Sequence, residues 1–369
     1  MLSHVFLTNF RNYNYAGVEF ASGMNCIVGN NGQGKSNLLE AVYYLSLLRS
    51  FRTNDVNDMR QVGKDSFIVR GIIANNGEPD TTLSVMYGAE RKLMMNNMIV
   101  YRASDFINRF ICVTFIPQDL SLVQGTPLQR RRFLDIAISQ LIPDYMKHLQ
   151  AYNQALKSRN VMLKDQAKYP KSTVTAYDAL LAREGAHIEC ERRNYIKLLN
   201  ERLQEYSGRL LHDERVISLK YLIRQGYLLQ DVNKTEDDFM QEFLQLLDKN
   251  YEHDVKNGST SIGPHRSDFR FLMDNVMMEN YSSQGECRMA SLALKLASLD
   301  VIKRFLDVSN VTLLIDDVIG ELDNDRRKLF FNATENIGQT LLACTNVMSE
   351  YFHVDKLFSV SGGNIKVQE

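Results

Sequence analysis

The stretch GNNGQGKS, residues 29–36, decides the expected fold. It matches G-x-x-x-x-G-K-S, follows the apolar run MNCIV and precedes LLEAVYYLSLL, so it predicts a strand, a glycine-rich loop and a helix. The glycines permit the positive φ angles of a loop whose N–H groups point inward and cradle phosphates. Lys35 is expected to reach the β- and γ-phosphates of a nucleotide, and Ser36 to ligate Mg²⁺.

A second apolar run, VTLLI at residues 311–315, predicts a strand that is buried on both faces. Two acids follow it, and we expect Asp316 to hold Mg²⁺ through water and Asp317 to act as general base toward the attacking water. Alternatively, the two acids simply end a strand and face solvent. This pair and the glycine loop are separated by most of the chain, which indicates an insertion between them.

The segments between these motifs alternate in character along the chain. Residues 66–101 predict antiparallel strands with hairpin turns, and FSVSGGNIKV predicts a hairpin near residue 360. Apolar residues at helical spacing predict two long helices, at 134–156 and 181–210, with Pro143 kinking or dividing the first. Thr235 and Asp238 are expected to cap a further helix. We therefore predict an α/β body made from residues 1–118 and 256–369, with a mainly helical lobe inserted at 119–255.

Composition limits the class of protein. The chain has 369 residues, of which 44% are hydrophobic and 24% charged, and this is typical of a globular protein with a sizeable core. The formal net charge of -1 indicates no global attraction to nucleic acid, so local basic clusters must carry any such role. Five scattered cysteines favour a reducing cytosol. No signal peptide and no apolar run of ~20 residues are evident, so we expect a cytoplasmic protein without a membrane partner.

The sequence SSQGE, residues 282–286, precedes apolar residues at helical spacing. A helix start offers unpaired N–H groups and a partial positive charge, so it suits an anion. Taken alone, Ser283 and Gly285 are interpreted most simply as an ordinary helix cap.

Several segments together resemble the ABC-type P-loop ATPase heads of the SMC class and, within that class, the RecF family of recombination mediators. The inserted lobe is far too short for an SMC coiled coil, which also favours RecF. The matching segments are LTNFRNY (7–13), GNNGQGKSNLLEA (29–41), FIPQDLSLVQGTPLQRRRFLD (115–135), SIGPHRSDF (261–269), SSQGE (282–286) and LLIDDVIGELD (313–323).

The resemblance implies a role for Ser283 and Gly285 that the residues alone do not show. In such ATPases the serine-glycine signature binds the γ-phosphate of ATP held by a partner subunit, so two chains would sandwich two ATP molecules in a homodimer. The resemblance also implies nucleotide contacts from the glycine loop and from flanking positions, namely Gly29, Asn30, Asn31, Gly32, Gln33, Gly34, Lys35, Ser36, Asn37, Arg11 and Asp323. Asp323 matches the D-loop, which in such ATPases lies at the dimer contact.

Four further positions are assigned by resemblance only. Gln118 matches the Q-loop that senses Mg²⁺ and the attacking water, or it is a plain loop amide after a proline. Arg11 either approaches phosphates or lies on the surface in solvent. Thr345 stands near the place of the switch histidine of many ABC ATPases, and Ser267 stands where the family usually has another acid.

The resemblance implies binding to double-stranded DNA near single-strand gaps, and help to RecO and RecR in loading RecA. It also implies a weak ATPase that DNA stimulates, in a cytoplasmic, nucleoid-associated protein. Arg130, Arg131 and Arg132 are the candidate DNA contacts, with further clusters at Lys157 and Arg159 and at Arg192 and Arg193. Charge runs on helices also occur as solvated faces.

Two other functions share some of these motifs. The nucleotide-binding subunit of a membrane transporter would have the same glycine loop and signature, but not the segments at 115–135 and 261–269. A tethering SMC-like head of a repair nuclease would need a long coiled coil. A simple P-loop kinase would have no use for SSQGE.

Overall fold

The computed structural model describes residues 1–75, 77–107, 109–211, 214–223, 235–335, 337–346 and 351–368. The chain divides into two compact units. The first unit contains Met1–Leu120 and Leu299–Glu369, and the second contains Ser121–Ser298. The second unit therefore interrupts the first in sequence, as the separation of the two nucleotide motifs predicts.

In its described residues, the first unit contains two sheets and a small number of helices. Its strands are β1 (Leu2–Phe10), β2 (Tyr13–Glu19), β3 (Met24–Val28), β4 (Phe67–Asn75), β5 (Glu78–Tyr87), β6 (Arg91–Met95), β7 (Met98–Val100) and β8 (Ile111–Phe115), and, after the second unit, β12 (Val311–Asp316), β13 (Gln339–Cys344), β14 (Lys356–Ser361) and β15 (Asn364–Gln368). Its helices are α1 (Lys35–Leu47), α2 (Ala103–Phe106) and α11 (Asn324–Thr334), with 3-10 turns at Val56–Met59, Pro117–Ser121, Val308–Asn310 and Ile319–Glu321.

One sheet has the strand order β15-β14-β3-β13-β12-β8 and is parallel except for β15. Every residue of β12 and β13 is buried, as expected for central strands of a parallel sheet that is covered on both faces. β14 and β15 form the predicted hairpin. The carboxyl ends of β3 and β12 meet at the same edge of this sheet, because both run parallel to β13 between them.

The other sheet of the first unit has the order β2-β1-β4-β5-β6-β7 and is antiparallel throughout. It contains the hairpins predicted for residues 66–101. Helix α1 contacts strands of both sheets, including β4, β12 and β13, and buries eleven of its thirteen residues. The helix that begins at the glycine loop is therefore fixed in the core of the unit.

The second unit is mainly helical. Its helices are α3 (Pro127–Leu141), α4 (Tyr145–Leu163), α5 (Lys171–Thr175), α6 (Asp178–Leu211), α7 (Glu236–Lys249), α8 (Tyr251–Asn257), α9 (Met278–Tyr281) and α10 (Gln284–Phe305), and the last turns of α10 belong to the first unit. A small antiparallel sheet contains β9 (Ile217–Leu222), β10 (Asp268–Met273) and β11 (Val276–Met277) in the order β11-β10-β9.

The helices of the second unit follow the predicted pattern closely. Pro143 falls between α3 and α4, so the first apolar stripe is two helices rather than one, because proline cannot donate the helical hydrogen bond. His148 of α4 contacts Glu184 of α6, and Arg159 contacts Asp178, so α4 and α6 run antiparallel. The predicted cap at Thr235 is confirmed as a capping box with Asp238.

The division of the chain differs from the predicted boundary at residue 256. Residues 256–298 group with the second unit rather than with the body. The reason is that β10 pairs with β9 along its whole length, and Arg192 of α6 donates to the Pro264 carbonyl at 2.7 Å. Within the described residues, no helix combines the length and the apolar character that crossing a bilayer demands.

Candidate nucleotide-binding site

The loop between β3 and α1 has the backbone that its glycines predict. Gly32 and Gly34 have φ angles of 79° and 125°. A Cβ atom at Gly34 would lie 2.8 Å from the Asn12 amide nitrogen and 2.8 Å from the Tyr13 hydroxyl, so a larger residue would displace both. Gly34 is also the N-cap of α1 and supplies no side-chain cap. The first N–H groups of α1 are thus not capped by a side chain, which suits an anion.

Lys35 is held against this loop. Its side chain is almost fully buried, with 3% exposure, and Nζ donates to the carbonyl oxygens of Gly29 at 2.7 Å and Asn30 at 3.2 Å. Both acceptors are neutral, so these hydrogen bonds do not neutralise the ammonium charge. A buried cation with neutral partners is stabilised by an anion, and a phosphate chain over the loop would provide one.

Ser36 and Asp316 are brought together from opposite ends of the chain. The Ser36 hydroxyl donates to Oδ1 of Asp316 at 2.7 Å. Burial raises the pKa of Asp316 above its ordinary value, the nearby charge of Asp317 adds to this, and the hydrogen bond from Ser36 opposes it. Hydroxyl and carboxylate oxygens are ligands that Mg²⁺ prefers, so this pair fits the predicted metal. Mg²⁺ bound there would supply positive charge beside the phosphate oxygens.

Asp317 has an unusual backbone for an aspartate. Its φ angle is 52°, in the left-handed region, and its N–H donates to the Ala343 carbonyl at 3.2 Å. Such a conformation costs on the order of 1–3 kcal/mol in a residue other than glycine, and it clusters at active sites. The side chain is exposed directly after the buried strand β12. This geometry is compatible with the predicted general base, whose role stays a prediction.

The signature segment forms a capped helix start in the second unit. Ser283 precedes α10, the Glu286 N–H donates to Oγ of Ser283 at 3.3 Å, and the Ser283 N–H donates to the Glu286 carboxylate at 2.7 Å. Arg215 also contacts the Glu286 carboxylate. The hydrogen bonds from Ser283 and from Arg215 lower the pKa of Glu286. Ser283 and Gly285 are both exposed, and a Cβ atom at Gly285 would meet nothing within 4 Å.

Comparison with known proteins agrees with these motifs. A model of the RecF/RecN/SMC N terminal domain matches residues 1–362. A protein of Clostridium tetani named DNA replication and repair protein RecF is 35% identical over 361 residues, which are 97% of each chain. Another of the same name from Clostridium botulinum strain Okra is 34% identical over 99% of each chain.

The chain belongs to the RecF family. A solved structure of the recombination mediator protein RecF-ATP in the RecFOR pathway is 29% identical, with a TM-score of 0.91 over 100% of this chain and 97% of that one. A head domain of Smc from Pyrococcus furiosus is 16% identical, with a TM-score of 0.55 over 100% of this chain and 95% of that one, and it supports the fold alone. The predicted fold class, an ABC-type ATPase head of SMC type, is confirmed.

In this RecF-family chain the Arg11 side chain is paired with a carboxylate. It is therefore neither a solvated surface arginine nor an unpaired cation that awaits a phosphate. Its guanidinium forms two hydrogen bonds with the Glu40 carboxylate, at 2.8 and 2.7 Å, and Glu40 is fully buried in α1. Ser50 also donates to Glu40. Glu40 was not singled out from the sequence, although a lone acid among the apolar residues of LLEAVYYL is a recognisable signal. The pair anchors α1 to the turn after β1.

Asn12 is a second residue that the sequence did not single out. Its amide donates to the Gln33 carbonyl at 2.9 Å and accepts from the Asn37 amide at 2.8 Å. The Gln33 side chain in turn accepts from the Gly362 N–H at 2.7 Å. Gln33 and Asn37, predicted as nucleotide contacts, therefore also tie the loop to the β1–β2 turn and to the β14–β15 turn, while Asn30 and Asn31 are exposed.

Three positions assigned by resemblance have the following surroundings in the RecF fold. Gln118 is exposed in the turn Pro117–Ser121. Asp323 caps α11, where its carboxylate accepts from the Arg326 N–H at 3.0 Å and contacts the Arg326 guanidinium. Thr345 is exposed directly after β13. Their proposed roles at a dimer contact or toward water stay predictions.

The prediction that Arg130 contacts DNA is wrong. Arg130 is fully buried, and its guanidinium forms two hydrogen bonds with Asp268, at 2.8 and 2.9 Å, and one with the Gly125 carbonyl at 2.6 Å. A guanidinium that is held by a buried carboxylate cannot reach a phosphate. Arg131 and Arg132 are partly buried, and Arg131 donates to the Ser267 carbonyl at 2.9 Å.

The other two basic clusters lose one member each for the same reason. Arg159 is buried between Asp178 and Asp254, at 2.7 Å from each. Arg192 is buried against Asp135 at 2.7 Å. Lys157 is exposed and Arg193 is partly buried over the Phe239 ring. Neighbouring basic residues on one helix are therefore divided between buried ion pairs and more exposed positions, because successive side chains point in different directions around the helix.

Proposed function

We propose that this chain is an ATP-dependent DNA-binding protein of recombinational repair. It binds ATP and Mg²⁺, forms a homodimer bridged by ATP, and in that state binds double-stranded DNA near single-strand gaps. It acts with RecR and RecO to help load RecA. The relatives named DNA replication and repair protein RecF, and the RecF structures assigned to the RecFOR pathway, support this role.

The observation that carries the proposal is the meeting of three groups in the first unit. Lys35 begins a helix that has no side-chain cap and donates to the glycine loop, and Ser36 contacts Asp316 beside it. This is a set of donors for a phosphate chain and of oxygen ligands for Mg²⁺. Structures of similar RecF proteins are described with ATP and with ATPrS, which supports ATP as the nucleotide.

The proposed dimer completes each nucleotide site with Ser283 and Gly285 of a second copy. Both residues are exposed at the start of a helix of 22 residues, and the open space around Gly285 allows close approach of a phosphate. Loss of the γ-phosphate on hydrolysis would remove this contact and release the partner. Asp323 would lie at the dimer contact and Gln118 near the attacking water.

Asp317 is the proposed general base, and hydrolysis would be slow and stimulated by DNA. An aspartate is one methylene shorter than a glutamate, so its carboxylate would be imperfectly placed for the attacking water. A turnover as fast as that of transporter ATPases would contradict this. A protein that acts on chromosomal DNA would lie in the cytoplasm, associated with the nucleoid, and this is the location we propose.

Light scattering with and without ATP tests the proposal directly. The parent chain is expected to dimerise with ATP and Mg²⁺. Lys35→Met should bind nucleotide more weakly and stay monomeric, whereas Ser283→Arg should bind fluorescent ATP and still stay monomeric. A parent chain that holds ATP as a monomer, or a Ser283→Arg variant that dimerises normally, would overturn the shared site.

A further inference from the structure

A basic pocket of about 630 Å³ lies within the first unit, on the loop that follows α1. It is formed by residues 52–64 together with the turn after β1. The charged groups that line it are Arg11, Arg52, Asp58, Arg60 and Lys64. None of these residues was a candidate for DNA binding from the sequence, because they are scattered along the loop rather than adjacent.

The charges of the pocket are not all available to a ligand. Arg11 is paired with Glu40, and Arg52 donates to the Asn37 side chain at 2.6 Å. Asp58 accepts a hydrogen bond from Thr53 and adds one negative charge.

Arg60 and Lys64 are different. Within the described part of the chain, the Arg60 guanidinium donates only to the Asp65 carbonyl at 3.3 Å, and the Lys64 ammonium has no hydrogen bond or ion pair. The pocket therefore presents two cations that are not matched by carboxylates.

The backbone that carries these two cations is fixed. The Gln61 N–H donates to the Asn9 carbonyl at 2.8 Å, and the Arg11 N–H donates to the Met59 carbonyl at 2.8 Å. Asn9, near the end of β1, and Arg11, in the turn after it, both have a φ angle of 52°, so the chain bends sharply where it meets the loop. Gly63, at a φ of 79°, has nothing within 4 Å of an added Cβ and lets the loop turn between Arg60 and Lys64. The pocket is thus preformed.

We propose that this pocket binds a backbone phosphate of DNA through Arg60 and Lys64. The inference rests on the proposed function and assigns a DNA contact in place of Arg130. ATP and the DNA backbone both present phosphate oxyanions, which arginine and lysine cations bind. The phosphates of ATP already have Lys35 and the glycine loop, whereas Arg60 and Lys64 lie on an open pocket with exposed neighbours, which suits a polynucleotide.

Fluorescence anisotropy of a labelled mixed-sequence duplex, with ATP and Mg²⁺, tests the pocket. The parent is compared with Arg60→Gln, Lys64→Gln and the double variant, over about 0.05 to 0.2 M salt. Each lost phosphate contact should lower the salt slope by ~0.9 and weaken binding about eightfold near 0.1 M salt, so the double variant should lose roughly 60-fold for each copy whose pocket meets the duplex. Lys92→Gln is the matched control, because Lys92 is exposed on β6 of the same unit and does not line the pocket.

The outcomes separate this inference from the function on which it rests. Variants that bind DNA with the slope and affinity of the parent would overturn the pocket and leave the proposed function intact. A parent that binds no DNA in any nucleotide state would overturn the proposed function itself. Variants that bind fluorescent ATP more weakly, with an unchanged DNA salt slope, would identify the phosphate as that of the nucleotide and overturn the DNA assignment.

Discussion

Lys35 in the first unit and Arg130 in the second are both almost completely buried cations, yet their surroundings are opposite. Lys35 donates to two neutral carbonyls, whereas Arg130 forms two hydrogen bonds with a carboxylate. A charge that the fold leaves with neutral partners has free energy to gain from an anionic ligand, and a charge that the fold has paired has none. The charge of the hydrogen-bond partners, rather than exposure or residue type, distinguishes the cation that can bind a ligand from the structural one.

The comparison predicts its largest effect at Lys35. Lys35→Met should lower ATP hydrolysis by about 10²–10³-fold, or about 3–4 kcal/mol, because a charged donor to the phosphates is removed. Stability should change little, because no carboxylate loses a hydrogen-bonded partner. Steady-state hydrolysis and binding of fluorescent ATP measure the effect.

Lys303 provides a matched control for that variant. Its Nζ also donates to two backbone carbonyls, of Ala333 at 2.6 Å and Glu335 at 3.2 Å, but outside the glycine loop. Lys303→Met should therefore leave ATP affinity within about twofold of the parent. Lys303 is only partly buried, so the two lysines share their carbonyl partners and differ in burial and place. An equal loss of ATP affinity in both variants would show that the loss of any lysine bonded to carbonyls, rather than its place at the loop, governs the result.

At Arg130 we expect a loss of stability rather than a loss of ATP hydrolysis. Arg130→Met should lower the free energy of unfolding by about 3 kcal/mol, because Asp268 stays buried with a weaker set of partners. Arg270 still contacts Asp268 at 3.1 Å, which keeps the loss at the lower end for a broken buried pair. Urea unfolding measures the change.

Arg270→Met is the control for Arg130, since Arg270 pairs with the same carboxylate while 25% exposed. It should cost about 1 kcal/mol or less. A stable Arg130→Met protein with a reduced DNA salt slope would restore the rejected DNA contact and break the comparison.

The fold could be predicted from sequence because its main signals are local. The glycine spacing at 29–36, the apolar run at 311–315 and the capping residues around Thr235 each act within a few residues, so a pattern suffices. The placement of Lys35, Ser36 and Asp316 followed from the same motifs, whose geometry repeats wherever a strand, this loop and a helix follow one another.

What could not be predicted depends on partners that are distant in sequence. Nothing near Arg130 indicates that Asp268, 138 residues away, removes its charge from the surface. Glu40 gave a signal as a lone acid in an apolar helix, but its partner Arg11 could not be identified from that signal. The substitution of serine for the expected acid at Ser267 also becomes clear only in three dimensions. Its hydroxyl donates to the buried Glu189, and a second carboxyl there would repel it.

His265 is a buried base in the second unit, and its surroundings favour the neutral form of the ring. It contacts the Tyr152 hydroxyl at 2.7 Å and the Thr260 carbonyl at 3.0 Å, and burial lowers its pKa from 6.5 to about 4. Because the unfolded chain takes up the proton first, its contribution to stability is complete above pH 6.5 and is lost as the pH falls toward 4.

Parent and His265→Gln should therefore differ in the pH dependence of unfolding. Over that range the parent should lose on the order of 2 kcal/mol more than the variant, as measured by urea unfolding at a series of pH values. The comparison of slopes removes any constant cost of the substitution. Parallel curves would show that His265 takes up its proton in the folded state near its ordinary pKa.

The smallest predicted effect compares two similar helix caps. It is therefore the most direct test of whether a motif binds a ligand or only stabilises the fold. Ser283 and Thr235 both form capping boxes, with Glu286 and Asp238, at the starts of α10 and α7. Ser283→Ala and Thr235→Ala should each cost about 1 kcal/mol of unfolding free energy, since each frees one helix N–H. Only Ser283→Ala should also weaken ATP-dependent dimerisation in light scattering, because only its hydroxyl is proposed to meet a partner's phosphate. If both variants dimerise like the parent, Ser283 is a cap and nothing more; if both fail, the loss comes from stability and the two motifs are equivalent.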